Sequence, residues 1–322
     1  AWNKAPGGAK KSNGSSKIIP VPAAGDSFKV FFFDDHLHMG KGKALDKGIC
    51  NLRDSAGDYV DWTPGSNGFK MSPQFCNVVA STERRVVVVE CDIIAALLDE
   101  DYFTARIEEN LQEGEIPVLF FDVNGTILLS DTAGGHGEEE VLLDRVFKSI
   151  TISLETSSAP SVAVEGTELK FELEGGIAKL SEVPKKFWTL PRFRKCLEEC
   201  LKLGCTVTAI HKTDALCELW AAITEDQITM DAFNALWDTV SSKVSGNNKG
   251  LVPSWFKVVD SYSSKGLLML DTFGVDGHRV LELTSPDALK TAAVITIDYD
   301  MWTDRDKTIF GKEYPSPPVP LP

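Results

Sequence analysis

Five short segments of the chain are dense in hydrophobic residues and do not alternate with polar ones. They are rich in β-branched and aromatic residues and shorter than a typical helix. Continuous apolar runs of this kind predict strands that are buried on both faces, as in a parallel sheet. The predicted strands are residues 29–34, 84–90, 116–122, 266–271 and 292–298.

Helical segments lie between these strands and predict the layers that cover the sheet. The predicted helices are residues 99–111, 137–149, 190–203 and 213–222. Because strand and helix alternate, the pattern favours a three-layer α/β fold with a parallel sheet. Residues 150–183 differ: apolar and polar residues alternate there, and Ser, Gly and Pro separate the runs. This pattern predicts a small antiparallel sheet or an insertion.

Composition excludes several classes of protein. The 322 residues are 43% hydrophobic, enough to bury a large core in one or two domains. Lys and Arg number 33 against 47 Asp and Glu, and the net charge of −14 disfavours nucleic-acid and membrane partners. No apolar run is long enough to span a bilayer. The seven cysteines, an odd number without a secretory leader, indicate reduced thiols and a cytoplasmic location.

The two ends of the chain differ in composition from the rest. Residues 1–17 are rich in Gly, Ser, Asn and Lys and lack periodic hydrophobic residues, so a disordered tail is expected. The last residues, "YPSPPVPLP", form a proline-rich arm that cannot be helical. Such arms are candidates for self-association through docking on a neighbouring copy.

Polar clusters follow three of the predicted strands, where an open parallel sheet carries its reactive groups. Asp34 and Asp35 end one strand, Asp122 ends another, and Asp271 with Thr272 ends a third. An aspartate in this position is a candidate nucleophile if a divalent cation reduces its repulsion of an anionic substrate. Paired carboxylates are suitable hard ligands for that cation.

The strand-end segments resemble four motifs of the haloacid dehalogenase-like (HAD) superfamily, and in particular uncharacterised HAD-like proteins of protists and algae. The segment "FFDVNGTIL" is similar to the first motif, "LLMLDTFG" to the second, "FGKEYP" to the lysine motif and "VFFFDDH" to the acidic motif. The resemblance implies a HAD-like Rossmannoid fold and an Mg²⁺-dependent hydrolase or phosphotransferase, phosphatase in type, with a phosphorylated small molecule or protein as substrate.

The resemblance also assigns roles to individual residues. Asp122 would be the nucleophile, Thr272 would bind phosphate, and Lys312 would neutralise its charge, with Lys265 as a weaker candidate for that role. The predicted ligands of Mg²⁺ are the side chains of Asp122, Asp34 and Asp35 and the backbone carbonyl of Asn124.

The order of the motifs departs from the family, because the acidic motif comes first in this chain. A circular permutation restores the family order and is acceptable where the chain ends lie close together. Alternatively, the chain is one piece of a tandem array in which each acidic motif completes a neighbour's site. The expected layout is a core of residues 18–132, a cap insertion of residues 133–250 and a continued core of residues 251–322.

Asn124 is the second departure from the family pattern. Phosphatases of the family carry an aspartate there as general acid and base, and an asparagine side chain does not exchange a proton at neutral pH. The sequence therefore leaves two hypotheses open. One is an enzyme with impaired or altered chemistry; the other is an inactive pseudoenzyme that serves as a binding or assembly module.

Each candidate also has a simpler interpretation. Asp122 before Asn-Gly is a common turn, and a solvated loop is the simpler interpretation of Asp34 with Asp35. The spacing of Cys196, Cys200, Cys205 and His211 suggests zinc, but the first two cysteines fall at helical spacing in an apolar pattern, which favours core packing. The pair His36 and His38 resembles the first metal motif of amidohydrolase barrels, although the strand count fits a barrel poorly.

Overall fold

The computed structural model describes residues 17–37, 50–73, 76–130, 135–244, 250–262, 267–271 and 294–297. The fold is mixed α/β, and it divides into two compact units. The first lies within Ala1–Leu128 and Asn247–Pro322, and the second is Leu129–Gly246. None of the helices in these described ranges has the length and apolar character needed to cross a membrane.

The described elements are numbered along the chain. The strands are β1 (Lys17–Pro20), β2 (Phe28–Asp34), β3 (Cys50–Arg53), β4 (Tyr59–Val60), β5 (Lys70–Pro73), β6 (Asn77–Ser81), β7 (Val86–Glu90), β8 (Ile116–Asp122), β9 (Ile150–Glu155), β10 (Ser161–Val164), β11 (Thr167–Glu174), β12 (Ile177–Leu180), β13 (Thr206–Ala209), β14 (Leu267–Asp271) and β15 (Val294–Ile297). The helices are α1 (Ile93–Leu98), α2 (Tyr102–Glu108), α3 (Glu138–Lys148), α4 (Leu190–Leu203), α5 (Ala215–Ile223), α6 (Met230–Val244) and α7 (Pro253–Tyr262).

A seven-stranded sheet organises the first unit, in the order β15-β14-β8-β2-β7-β6-β5. The five strands from β15 to β7 pair in parallel, whereas β6 and β5 pair antiparallel. These five parallel strands are the five that the apolar runs predict, which confirms the α/β class and the parallel sheet.

Helices cover one face of this sheet. Successive side chains of a strand point to opposite faces, so Phe33 of β2 and Phe121 of β8 share a face. Their rings stack with centroids 4.5 Å apart. Phe103 of α2 meets both rings edge-on, and Trp255 of α7 meets Phe121 in the same way. Every residue of β2 and β8 except the first is buried, whichever face its side chain points to. Hydrophobic and polar residues therefore do not alternate along these two strands.

A small three-stranded sheet, in the order β1-β3-β4, packs against the other face. Phe32 and Phe120 of the large sheet share one buried cluster with Ile19, Leu52 and Val60 of the small sheet. The pattern analysis missed this layer because its strands, two to four residues long, carry no recognisable period. Lys17 pairs with Cys50 as the first residue of β1, so the tail predicted for residues 1–17 ends one residue too late. The rest of that tail and the proline-rich arm lie outside the described residues.

The second unit contains a five-stranded sheet in the order β10-β11-β12-β9-β13, with antiparallel pairing throughout. Four of its strands fall within residues 150–183, which confirms the antiparallel sheet predicted there. Helix α4 has the predicted bounds and ends at Gly204, whose φ of +94° suits a glycine at a helix end. The core is aromatic, and the Trp220 indole N–H donates to Ser149 Oγ at 2.8 Å.

Candidate functional site

The carboxyl ends of three adjacent parallel strands lie at one edge of the large sheet. Strand β8 is paired with β2 on one side and β14 on the other. Asp122 at the end of β8 is opposite Asp271 of β14, and Phe121 is opposite Phe33 of β2. Asp34, the next residue of β2, therefore ends its strand at the level of Asp122. Two strand ends distant in sequence are brought together by this register.

Three carboxylates converge at this edge. Asp34, Asp35 and Asp122 each offer an oxygen, and the three oxygens lie within 4.8 Å of one another. Within the part of the chain that the structure describes, this is the only group of three or more His, Cys, Asp or Glu residues with such spacing. Asp34 and Asp122 are buried, with 2% and 8% of their surfaces exposed, and Asp35 is half-buried. Clustered hard oxygen donors suit Mg²⁺ or Ca²⁺.

Backbone hydrogen bonds hold the end of β2 in place. The Asp34 carbonyl accepts from the Cys91 N–H at 2.7 Å, which continues the pairing of β2 with β7 beyond its last residue. The Asp34 carboxylate oxygen Oδ1 accepts from the His36 N–H at 2.9 Å, as in an Asx turn. The chain after β2 therefore bends at Asp35, beside the end of β8.

Gly125 allows this close approach. Its φ is +75°, a conformation that residues with a Cβ atom rarely adopt. A Cβ built on Gly125 would lie 2.6 Å from Asp35 Oδ2. A side chain at this position would therefore displace the Asp35 carboxylate from the cluster. The sequence suggested a turn at Gly125 but gave no sign of its contact with Asp35, because that contact joins segments about 90 residues apart.

The turn after Asp122 is compact. The backbone N–H groups of Ile127 and Leu128 both donate to the Val123 carbonyl, and the Gly125 N–H donates to the Leu128 carbonyl at 2.8 Å. Asn124 pairs with Leu128 through an isolated bridge and is half-buried. Thr126 is fully buried, and its hydroxyl has no hydrogen-bond partner within the described ranges. These hydrogen bonds hold the backbone of Asn124 in the turn, two residues after Asp122.

The carboxylates also affect a neighbouring thiol. Burial raises the pKa of Cys91 well above its ordinary value, and the Cys76 thiol and then Asp34 and Asp35 raise it further. Arg106 acts in the opposite direction. Asp34 and Asp35 thus place negative charge beside Cys91, at the ends of β2 and β7.

Several residues assigned by the sequence cannot be placed with these groups. Thr272, Lys265, Lys312 and His38 lie outside the described residues. Asp271 is described as part of β14 and reaches the same level as Asp122. The carboxylates Asp34, Asp35 and Asp122 are thus the candidate site residues that the structure brings together.

The cysteines considered for zinc lie in the core of the second unit. Cys196, Cys200 and Cys205 are buried. Burial raises the pKa of Cys196 and Cys200 to about 12, so both remain protonated thiols at neutral pH. A bound zinc would itself deprotonate these thiols, so geometry decides: none of them belongs to a metal-compatible group of the described residues, which favours core packing. His211 belongs to no metal-compatible group of the described residues.

Comparisons of this chain with protein-family models, with curated proteins and with solved structures gave no match.

Proposed function

We propose that the chain is a HAD-like, Mg²⁺-dependent phosphotransferase or hydrolase in which Asp122 is the nucleophile. The observation that carries the proposal is the convergence of Asp34, Asp35 and Asp122 at the carboxyl ends of adjacent parallel strands. These are the positions at which α/β sheets present reactive groups. The resemblance of their flanking segments to the HAD motifs assigns the same three residues to one site.

The order of strands in the sheet supports a permuted arrangement of the motifs. The strand of the acidic motif, β2, and the strand of the second motif, β14, flank the nucleophile strand β8. Neighbouring strands allow the three motifs to form one site, whatever their order along the chain. The Leu129–Gly246 unit is inserted in the sequence between β8 and β14, where the resemblance expects a cap. We therefore retain both the permutation and a cap role for residues 133–250 as parts of the proposal.

The donor set fits a hard divalent cation. Carboxylate oxygens of Asp34, Asp35 and Asp122 are close enough to share one ion, and the backbone carbonyl of Asn124 is the fourth assigned ligand. Such oxygens are the ligands that Mg²⁺ prefers. A bound Mg²⁺ would offset the three negative charges and polarise a phosphoryl oxygen.

Asp122 provides the covalent step. One of its carboxylate oxygens attacks phosphorus, an O–P bond forms, and the bond to the leaving oxygen breaks with its electron pair moving to that oxygen. The product is an aspartyl phosphate. Water then attacks the phosphorus and releases phosphate, or an acceptor hydroxyl takes the phosphoryl group. Thr272 and Lys312, assigned by the resemblance, would orient the transferred group and neutralise its charge.

Asn124 determines which substrates suit the site. Its amide cannot protonate a leaving oxygen or remove a proton from water. Substrates whose leaving groups are stable as anions, such as aryl and acyl phosphates, are therefore favoured over alkyl phosphates. The loss of proton transfer lowers the rate of hydrolysis by about 10²–10⁴-fold. The aspartyl phosphate is consequently expected to persist.

Calorimetry tests the cation site before any substrate is known. Wild-type protein is expected to bind Mg²⁺ and Asp122→Ala to lose that binding. Asp58→Ala is the matched control, because Asp58 is an exposed aspartate of the same unit and does not belong to the carboxylate cluster. No binding by the wild type at millimolar Mg²⁺, or equal binding by wild type and Asp122→Ala, would contradict the proposal.

Acetyl phosphate then tests the chemistry. With Mg²⁺ present, the intact mass of the wild type should show a phosphoryl adduct, and Asp122→Asn should show none. Asn124→Asp is expected to hydrolyse an aryl phosphate faster than the wild type, by up to about 10²–10⁴-fold.

The amide at Asn124 also supports the second candidate function, an inactive HAD-like module that binds or assembles with a partner. The same experiments separate the two. Mg²⁺ binding without an adduct or turnover in wild type and in Asn124→Asp would favour the pseudoenzyme.

A further inference from the structure

Two cysteines of the first unit face each other across neighbouring antiparallel strands. In the ladder of β6 and β7, Val78 is opposite Val89 and Val79 is opposite Val88. Continuing this register by two residues places Cys76 opposite Cys91. The side chains of the intervening residues, Asn77 and Glu90, are hydrogen-bonded to each other, which is consistent with this alignment just beyond the last ladder pair.

The spacing of such a pair suits a disulfide. Directly opposed residues of an antiparallel pair have Cα atoms about 4.5–5.5 Å apart. Disulfides span Cα separations of about 4.4–6.8 Å. The two thiols also interact electrostatically, as expected for groups that are close in space. Both cysteines are free thiols in the structure.

The surroundings of Cys76 differ from those of the other cysteines. Its sulfur accepts a hydrogen bond from Arg106 Nε at 3.5 Å and is within hydrogen-bonding reach of the Tyr102 hydroxyl. Arg106 is 4% exposed, and its guanidinium carbon lies 3.9 Å from the centre of the Tyr102 ring. It has no carboxylate partner among the described residues. A cation beside a sulfur stabilises negative charge that develops there during nucleophilic attack.

Accessibility singles out Cys76 as well. It is the one cysteine of the seven that is half-buried, and the other six are buried. A small oxidant can therefore reach Cys76, and the buried Cys91 then lies beside it as a second thiol. This arrangement of an accessible cysteine, a cation and a neighbouring thiol is typical of redox-responsive pairs.

We propose that Cys76 and Cys91 form a reversible disulfide when the protein meets a peroxide. The Cys76 sulfur attacks one peroxide oxygen, the O–O bond breaks, and a sulfenic acid and water form. The Cys91 sulfur then attacks the Cys76 sulfur, the S–O bond breaks, and the hydroxide leaves as water with the Cys91 proton. Two thiols and one hydrogen peroxide thus give one disulfide and two waters. A dithiol reductant reverses the bridge.

Peptide mapping of the wild-type protein after hydrogen peroxide tests the proposal. Trypsin cuts after Lys70, Arg84, Arg85 and Arg106, so Cys76 and Cys91 fall in separate peptides, 71–84 and 86–106. The expected result is one linked pair of these peptides, lighter by two hydrogen atoms than their sum and separated by dithiothreitol. The proposal is overturned if Cys76 remains reduced, or if it proceeds to sulfinic acid while Cys91 stays a thiol.

Two variants provide the controls. Cys91→Ser removes the second thiol and is expected to leave a sulfenic acid on Cys76 that dimedone captures. Cys200→Ser removes one member of the hydrogen-bonded pair Cys200 and Cys205, which is also adjacent but buried. It should leave the Cys76–Cys91 bridge unchanged, whereas loss of the bridge in this variant would contradict the assignment. Neither result depends on the proposed phosphoryl chemistry.

Discussion

The two sheets of this protein bury their strands in different ways. Strands β2 and β8 of the seven-stranded sheet are buried at every residue except the first. Strands β10 and β12 of the five-stranded sheet alternate exposed and buried residues. Strands β2 and β8 are therefore covered on both faces, and only their ends are available for chemistry. The five-stranded sheet leaves part of one face exposed and carries no carboxylate cluster in the described residues.

The difference shows how burial directs polar residues. A strand covered on both faces accommodates polar side chains mainly at its ends, so Asp34 and Asp122 occur where the strands leave the core. A strand with one exposed face accommodates them at every second residue. Burial of both faces of β2 and β8 thus explains why Asp34 and Asp122 stand at strand ends. The same two residues belong to the candidate site.

Phe33→Ala should have the largest effect on stability. Phe33 is fully buried and contacts three other rings, so its removal leaves a cavity and costs about 3–5 kcal/mol of unfolding free energy. Leu173→Ala on β11 is the comparison, because Leu173 is 42% exposed and its truncation should change stability by less than about 0.5 kcal/mol. Urea unfolding followed by circular dichroism measures both. Equal losses would contradict the burial difference between the sheets.

Lys29→Met tests the buried ion pair of the first unit. Lys29 Nζ lies 3.5 Å from Glu115, and both side chains are nearly covered, so the variant strands a buried carboxylate at a cost of about 3 kcal/mol. In the second unit, Lys148 and Asp144 form an exposed i,i+4 pair. Lys148→Met should cost only about 0.3–0.5 kcal/mol in the same urea experiment. A small loss for Lys29→Met would show that Arg85, 4.0 Å from Glu115, takes over as its partner.

Gly125→Ala sharpens the comparison at the candidate site. A left-handed conformation costs a residue with a Cβ about 1–2 kcal/mol, and the contact with Asp35 should add to this. Gly166→Ala is the matched control, because Gly166 has a φ of +74° in the second unit and a Cβ there meets nothing within 4 Å. Chemical denaturation should therefore show a larger loss for Gly125→Ala, and calorimetry should show weakened Mg²⁺ binding in that variant alone. Equal losses with unchanged binding would argue against the contact.

Ser149→Ala should give the smallest of the four main effects. The variant leaves the buried Trp220 N–H without its acceptor and costs about 1–2 kcal/mol. In the first unit, Ser254→Ala removes the hydroxyl that donates to the Ala96 carbonyl. A buried carbonyl without this donor is tolerated somewhat better than a buried N–H without an acceptor. Thermal unfolding of the two variants should therefore show the greater loss for Ser149→Ala. The opposite order would indicate that the Ala96 carbonyl depends on Ser254.

Local patterns predicted much of the secondary structure. Strand β8 and helix α4 have the bounds that their apolar patterns predicted, and β2 and β7 differ from the prediction by one or two residues at their start. The described residues of β14 and β15 fall within their predicted runs. The patterns succeed there because both faces of the strand, or one stripe of the helix, are consistently apolar. They gave no signal for β3 and β4, because strands of two to four residues are too short to show a period.

The candidate site was predictable only in part. Strand-end aspartates are visible in the sequence, and so is the resemblance that joins Asp34 and Asp35 to Asp122. Three other features cannot be seen in the sequence: the contact of Gly125 with Asp35, the buried hydroxyl of Thr126, and the alignment of Cys76 with Cys91. These depend on strand register and on turns, which no single segment encodes.

The sequence by itself determined the composition of the layers: which runs are apolar enough to be buried, where each ends, and which polar residues stand at those ends. Burial follows from side-chain chemistry, and that information is local. The tertiary structure alone decided which strand ends are neighbours. Asp34 and Asp122 are 88 positions apart in the chain, and they meet because β2 and β8 pair in parallel with Phe33 opposite Phe121. Register is set by the packing of both faces together, so the convergence of the three carboxylates is a property of the folded sheet.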